Sequence, residues 1–215
     1  MSCTSTKTVT IGTVGAGYAA YLHGNGYEKV CGVSVRLKTV CDVKLELAEQ
    51  VKARYGYERA VSDFREILAD PEIDVVDIVL PPFLHTRFAI EAMKAGKDVI
   101  CEKPLTGYFG EPGQENVGAT VPKGEMLRQC LAEMDELKAV VQETGRKFMY
   151  AENFVYAPPI QKAAEIIRAK KTKLLFMKGE ESLKGSSSPV AGKWNRTGGG
   201  TLTRTGAHPM GGMLG

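Results

Sequence analysis

The chain has 215 residues, of which 43% are hydrophobic and 25% are charged, a balance typical of a globular protein. Its 28 basic and 25 acidic residues leave a net charge of +3, so the composition indicates no nucleic-acid partner. No apolar run approaches the length of a membrane span, and the N-terminus does not resemble a signal peptide. The five cysteines form no Cys-x-x-Cys pair and no zinc-spaced cluster, so we expect reduced thiols, no metal site and a cytoplasmic protein.

The first predicted element is a strand that runs into a glycine-rich turn. The sequence Thr8–Val14 has the β-branched residues of a buried strand, and Gly15–Ala20 fits the dinucleotide-binding pattern G-x-G-x-x-G/A. Gly15 permits a tight turn, and Gly17 lets a pyrophosphate approach the backbone at the start of a helix predicted from 18 to about 25. The predicted cofactor cradle comprises Gly12, Gly15, Ala16, Gly17, Tyr18 and Ala19.

An acidic residue follows the second predicted strand, 33–41. Asp42 lies 22 positions after Ala20, where the pattern places the carboxylate that binds the adenosine ribose and repels a 2′-phosphate. This position favours NAD as the cofactor, while Lys44 keeps NADP possible. Asp is also a favoured N-cap, so capping of the helix predicted at 44–55 is a second role for Asp42, compatible with the first.

Strands and helices alternate along most of the chain. Because this alternation requires a parallel sheet with right-handed crossovers, we predict an α/β fold, with a doubly wound Rossmann domain over residues 1–152. The stretch 106–123 lacks periodicity and is predicted to be a loop, either a functional cover or a plain insertion. Further helices are predicted at 63–68, 85–96, 125–143 and from 158 or 159 to about 170, and further strands at 75–80, 98–101, 147–152 and 174–177.

Residues 153–215 are predicted to be the incomplete beginning of a second, open-sheet α/β domain. This segment has one predicted strand and a stretch rich in Gly and Ser from Lys184 to Gly200, too little to close a core of its own. We therefore expect it to pack weakly on the Rossmann domain, or to be ordered by a neighbouring chain in a homo-oligomer.

Polar residues follow the carboxyl ends of two strands, which is where ligands bind in open α/β sheets. One strand ends at Pro81 and is followed by His85, which either caps the next helix or contacts cofactor or substrate. The other strand runs directly into Glu102 and Lys103. His23, in the first helix, is predicted to pack or to cap.

Taken together and in this order, these stretches resemble the Gfo/Idh/MocA oxidoreductases from Val9 to about His208. The resemblance implies a Rossmann domain, a second α/β domain over the nicotinamide, and NAD- or NADP-dependent hydride transfer with a sugar, an inositol or a related small polar hydroxyl or carbonyl compound. It rests on Gly12–Gly17, Asp70–Val76 before the strand that ends in Pro81, His85, Glu102-Lys103-Pro104, Gly198-Gly199-Gly200 and Gly206-Ala207-His208.

The resemblance also implies roles for individual residues. Lys103 would lie beside nicotinamide and substrate, and His208 would exchange a proton with the reacting group. Both roles suit the chemistry, because a histidine titrates near neutral pH and a lysine stabilises a developing alkoxide. Without the resemblance, His208 would be a histidine in a glycine-rich loop and Lys103 a surface lysine. Pro81, His85, Glu102 and Lys103 are predicted to contact the cofactor.

Two departures from the family pattern leave a second hypothesis open. Many members carry an Asp four positions before the family histidine, where this chain has Arg204, and members continue well beyond Gly215. The chain is therefore predicted to be a truncated product or a fragment. The alternative function is that of a dinucleotide-binding module without catalytic activity, or a truncated remnant.

Overall fold

The computed structural model of the protein describes residues 7–111, 113–185 and 191–214. Its centre is a six-stranded sheet in which every neighbouring pair of strands is parallel. The strands are β1 (Thr8–Val14), β2 (Ser34–Cys41), β3 (Arg59–Val61), β4 (Val75–Ile78), β5 (Asp98–Glu102) and β6 (Phe148–Ala151). Their order across the sheet is β3-β2-β1-β4-β5-β6.

Helices connect the strands and make up the end of the chain. Short 3-10 turns also occur, at Pro82–Leu84 and Asn153–Tyr156. The α-helices are α1 (Tyr18–Tyr27), α2 (Leu45–Tyr55), α3 (Phe64–Ala69), α4 (His85–Lys94), α5 (Val117–Thr120), α6 (Lys123–Thr144), α7 (Pro158–Lys170), α8 (Trp194–Thr197), α9 (Gly200–Arg204) and α10 (Ala207–Leu214). Among the helices of the described ranges, none is both long enough and apolar enough to cross a bilayer.

The predicted doubly wound sheet is confirmed. Sequence reasoning missed β3, which is only three residues long, and α5 within the predicted loop 106–123. The strand order reverses between β1 and β4, because β1 leads outward to β2 while β4 lies on its other side. The carboxyl ends of these two strands therefore flank the crevice in which such sheets bind ligands.

Apolar side chains fill both faces of the sheet. On one face, α4 contributes Ala89 and Met93 to a buried cluster with Val76 and Val99 of the sheet. On the other face, α2 contributes Ala48 and Val51, which pack beside Val40. The apolar run of β4 is buried throughout, as a central parallel strand requires, yet it contains the charged residue Asp77.

The strand predicted at 174–177 is wrong. This stretch has no regular secondary structure, and two of its side chains, Leu175 and Phe176, are 90% and 81% exposed. A run of β-favouring residues becomes a strand only when a neighbouring strand satisfies its backbone, and the edge strand β6 pairs only with β5 among the described residues.

The predicted loop 106–123 packs against the end of the chain. Tyr108, Val117 and Met126 form a small buried cluster onto which Trp194 of α8 packs. The Trp194 ring also donates an Nε1–H hydrogen bond of 2.9 Å to the carbonyl of Tyr108, and the amide of Tyr108 donates to Gly198 at 2.8 Å. The loop therefore joins the glycine-rich segment of α8 and α9 to the Rossmann sheet.

Candidate active site

The glycine-rich turn after β1 has the geometry that a dinucleotide cradle requires. Gly15 has a φ of +104°, and a Cβ at this position would lie 2.6 Å from the carbonyl oxygen of Val79, so only glycine fits. Gly17 begins α1 and is exposed, with no described atom within 4 Å of the place where its Cβ would be. Among the described side chains none caps α1 at Gly17, so its first amides face this open space.

Asp42 lies at the carboxyl end of β2, next to this turn. One carboxylate oxygen accepts a hydrogen bond of 2.8 Å from the amide of Ala16, and the other accepts one of 2.9 Å from the amide of Lys44. The second bond closes a turn that precedes α2, whose N-cap is Lys44 with no side-chain cap among the described residues, so the predicted capping of this helix by Asp42 is wrong. A carboxylate has about four lone-pair sites, so Asp42 can accept further hydrogen bonds from ribose hydroxyls. Its ribose role stays a prediction.

His85 connects the ends of β4 and β5 from inside the fold. Its Nδ1 lies 2.8 Å from the carbonyl oxygen of Pro104, its Nε2 lies 2.7 Å from that of Leu80, and the residue is 1% exposed. Burial lowers the pKa of His85, outweighing the two carbonyl acceptors. Both ring nitrogens lie against backbone carbonyls, and the neutral ring donates to one of them, so the predicted contact of His85 with cofactor or substrate would require the ring to leave one of these carbonyls.

Pro81 precedes the 3-10 turn at Pro82–Leu84 and follows Val79, whose amide donates a hydrogen bond to the carbonyl of Val14 of β1. Its fixed φ of −60° sets the direction in which the chain leaves β4. Contact of Pro81 with a cofactor stays a prediction.

A buried ionic network lies beneath the crevice and was missed by sequence reasoning. Nδ1 of His23 lies 2.9 and 3.0 Å from the two carboxylate oxygens of Asp77, and its Nε2 lies 3.2 Å from Glu102. The hydroxyl of Tyr27 donates a further bond of 2.8 Å to Asp77. Burial opposes charge on His23, but both carboxylates favour it and raise its pKa to about 10. The signal in the sequence was an acidic residue inside an apolar strand, Asp77.

Glu102 and Lys103 carry this network to the end of β5. One oxygen of Glu102 faces His23, and the other accepts a hydrogen bond of 2.8 Å from the amide of Lys103. Burial opposes the charge on Glu102, but the hydrogen bonds from His23 and the Lys103 amide keep its pKa below the usual value. Lys103, which precedes a cis bond to Pro104, donates from Nζ to the backbone carbonyl of Arg204 at 2.9 Å. The strand-end lysine therefore contacts the segment that carries His208.

His208 lies on α10 and is 9% exposed. Its Nδ1 is 2.7 Å from a carboxylate oxygen of Glu152, which follows β6, and its ring stacks on Phe154 with centroids 4.4 Å apart and planes at 22°. An ionised carboxylate only accepts, so this bond requires the hydrogen on Nδ1, and in the neutral form of the ring Nε2 is then the nitrogen that can accept a proton. Sequence reasoning did not single out Glu152, because nothing local distinguishes a glutamate at a strand end.

The carboxyl edge of the sheet thus brings the predicted residues together in two groups. The glycine turn and Asp42 lie at β1 and β2, while Lys103 and His208 meet through the segment that contains Arg204. The first group offers the N-terminal amides of α1 and a carboxylate, which suit a dinucleotide. The second offers a cation and a proton acceptor, which suit a reaction at a hydroxyl or carbonyl group.

Known proteins support this assignment of the fold. The sequence profile of the Gfo/Idh/MocA family, described as an oxidoreductase family with an NAD-binding Rossmann fold, matches residues 9–129, more than half of the chain. A levoglucosan dehydrogenase of Pseudarthrobacter phenanthrenivorans is 38% identical over 106 residues, which are 46% of this chain and 27% of that protein. A myo-inositol 2-dehydrogenase of Thermotoga maritima is 30% identical over 96 residues, 45% of this chain and 28% of that protein.

Solved structures share the fold at lower sequence identity. GenD2 from gentamicin A biosynthesis, solved in complex with NAD, superposes with a TM-score of 0.73 at 22% identity, over 97% of this chain and 54% of GenD2. The chain therefore spans about half the length of this structural relative, and its aligned part spans about a quarter of the two sequence relatives.

Proposed function

The chain belongs to the Gfo/Idh/MocA oxidoreductases, whose Rossmann fold binds NAD, and on this premise we propose that it transfers a hydride between a nicotinamide cofactor and a small polar hydroxyl or carbonyl compound. The observation that carries the proposal is the bond between Lys103 Nζ and the carbonyl of Arg204. It joins a strand-end cation to the segment that leads into the helix of His208, which supports a common role for Lys103 and His208.

The described residues fit a dinucleotide. The space in front of Gly17, which a Cβ would begin to fill, lies at the N-terminus of α1 and would receive the pyrophosphate. Asp42 would accept hydrogen bonds from the adenosine ribose, and its negative charge favours NAD over NADP. When bound, the cofactor supplies a nicotinamide ring that accepts or donates the hydride.

The side chains of the second group handle the proton and the developing charge. During oxidation, the hydroxyl proton of the substrate passes to Nε2 of His208, while the C–H bond breaks and the carbon–oxygen bond becomes a carbonyl. To Lys103 we assign the stabilisation of negative charge on that oxygen by its ammonium group. In the reverse direction, His208 returns the proton. The ring of Phe154, stacked on His208, restrains the imidazole plane.

The names of the relatives suggest the substrate class. Levoglucosan dehydrogenase and myo-inositol 2-dehydrogenase are named for polyhydroxylated ring compounds, so we propose a sugar or an inositol as substrate. The second candidate is a dinucleotide-binding module without turnover. One observation favours it: the chain has Arg204 at the position where the family pattern has an aspartate.

The test combines cofactor titration with a screen for turnover. NAD and NADP are titrated against the unaltered chain and against Asp42→Ala, while sugars and inositols are screened for NADH formation. We expect Asp42→Ala to weaken NAD binding about tenfold or more and NADP binding less, since a carboxylate–hydroxyl pair contributes about 1.5–3 kcal/mol. Equal losses for the two cofactors would remove Asp42 from the ribose site. Binding of NAD without turnover of any sugar or inositol would favour the module.

A further inference from the structure

We infer that Glu152 is the positioning residue that orients His208 for proton transfer, in the place of an acidic side chain at position 204. The inference rests on the proposed function, since it assigns the orientation of the proposed base. At position 204 the chain has an arginine, whose positive charge cannot accept the Nδ1–H of a histidine. Glu152 comes instead from the end of β6, fifty-six residues before His208 in the sequence.

The contact is built from several elements rather than from a surface encounter. Glu152 is 3% exposed and His208 is 9% exposed, and the carboxylate oxygen that faces Nδ1 at 2.7 Å also accepts the amide of Phe154 at 2.9 Å. That amide fixes the carboxylate, while the Phe154 ring lies over the imidazole that the carboxylate holds. The short turn after β6 therefore supplies both the partner of the ring and its stacking surface.

The helix that carries His208 accommodates the glutamate. Gly211 lies three residues after His208 on α10, and a Cβ there would be 2.5 Å from Cγ of Glu152. Any larger residue at 211 would push the glutamate away from the helix. The space left by Gly211 is thus a second, independent feature that brings the carboxylate to the imidazole.

The charge balance of the pair explains what Glu152 contributes. Its other oxygen, Oε2, is buried and has no hydrogen-bond partner among the described residues. A buried carboxylate with few donors gains strongly when an opposite charge forms beside it. Proton transfer from the substrate to Nε2 creates that charge on His208, so Glu152 stabilises the product of the proton-transfer step as well as the orientation of the ring.

The test measures the tautomer of the His208 ring and the rate of the reaction in separate experiments. In the 215-residue chain, 15N NMR of the histidine side chains reports whether His208 carries its hydrogen on Nδ1, with His208→Ala used to assign the signal. We expect the Nδ1–H form in the unaltered protein and a mixture of the two forms in Glu152→Ala. Glu165→Gln is the matched control, because Glu165 is an exposed glutamate on α7 whose ion pair within the described part of the chain is with Lys162. The Nδ1–H form in Glu152→Ala would overturn the inference.

Kinetics on the same proteins tests the coupling. We expect Glu152→Gln to lower kcat about tenfold to a hundredfold with little change in KM, and to have no further effect in a His208→Ala background. If the two substitutions lowered kcat independently in the double variant, Glu152 would act on the structure rather than through His208, and the inference would be overturned. Full activity in His208→Ala would instead show that His208 is not the proton acceptor of the proposed reaction. If the unaltered chain shows no turnover, the proposed function fails, while the NMR result still decides whether Glu152 orients the ring.

Discussion

The sheet region, residues 8–151, and the C-terminal region, residues 158–214, differ in how they hold their residues in place. In the sheet region, parallel backbone pairing fixes the strand ends, and the cofactor turn leaves β1 in a conformation that only glycine adopts at position 15. In the described part of the C-terminal region, α8, α9 and α10 are attached by side-chain hydrogen bonds of Trp194, Lys103 and Glu152. The first region is therefore most sensitive to changes in its backbone, and the second to changes in these side chains.

The largest effect is expected from crowding the glycine turn. Gly15→Ala adds a Cβ that would meet the carbonyl of Val79 and forces alanine into a left-handed conformation, so we expect a loss of about 3 kcal/mol or more in stability and the loss of NAD binding. Gly17→Ala is the matched control, since its Cβ meets no described atom. It should melt within about 3 °C of the unaltered protein but bind NAD weakly. Thermal denaturation and cofactor titration of both variants check this.

Removing the buried histidine beneath the crevice should have the next largest effect. His23→Leu leaves Asp77 and Glu102 without their shared cation, so we expect a loss of about 3 kcal/mol. The pKa of His23 is raised from 6.5 to about 10, so its contribution to stability is complete below pH 6.5 and lost as the pH rises towards 10. Urea denaturation between pH 6.5 and 10 measures this. The same pH dependence in His23→Leu would contradict the assignment.

A smaller and more local effect is expected where the C-terminal region attaches. Trp194→Ala removes the ring that packs on Tyr108, Val117 and Met126, so trypsin should cut faster at Arg196 and Arg204 while NAD binding is unchanged. Leu202→Ala, on an exposed side chain of α9, is the control. Equal digestion of the two variants would show that the region attaches in another way.

The smallest effect is expected at the surface. Arg87 and Glu91 form an exposed ion pair one helical turn apart on α4, at 2.8 Å. Glu91→Gln should change the free energy of unfolding by less than about 0.5 kcal/mol. A loss as large as that of His23→Leu would contradict the distinction between the surface pair and the buried network.

The two regions also differ in how far the sequence predicts them. In the sheet region, apolar periodicity and glycine turns are local signals, so the sheet, the cradle and Asp42 could be placed from sequence. The contacts His23 to Asp77 and His208 to Glu152 join residues 54 and 56 positions apart, and no local pattern marks them. The wrong strand at 174–177 failed for the same reason, because a strand depends on a partner that the local sequence does not contain.

The most direct test of the account follows a deuterium atom from substrate to cofactor. A sugar or inositol that carries deuterium on its carbinol carbons is incubated with NAD and either the unaltered chain or His208→Ala. The deuterium content of the recovered NADH is then measured by mass spectrometry. We predict deuterated NADH from the unaltered chain, at least a hundredfold less from His208→Ala, and equal NAD binding by both. Equal transfer by the two proteins, or NAD binding without transfer by the unaltered chain, would contradict the account.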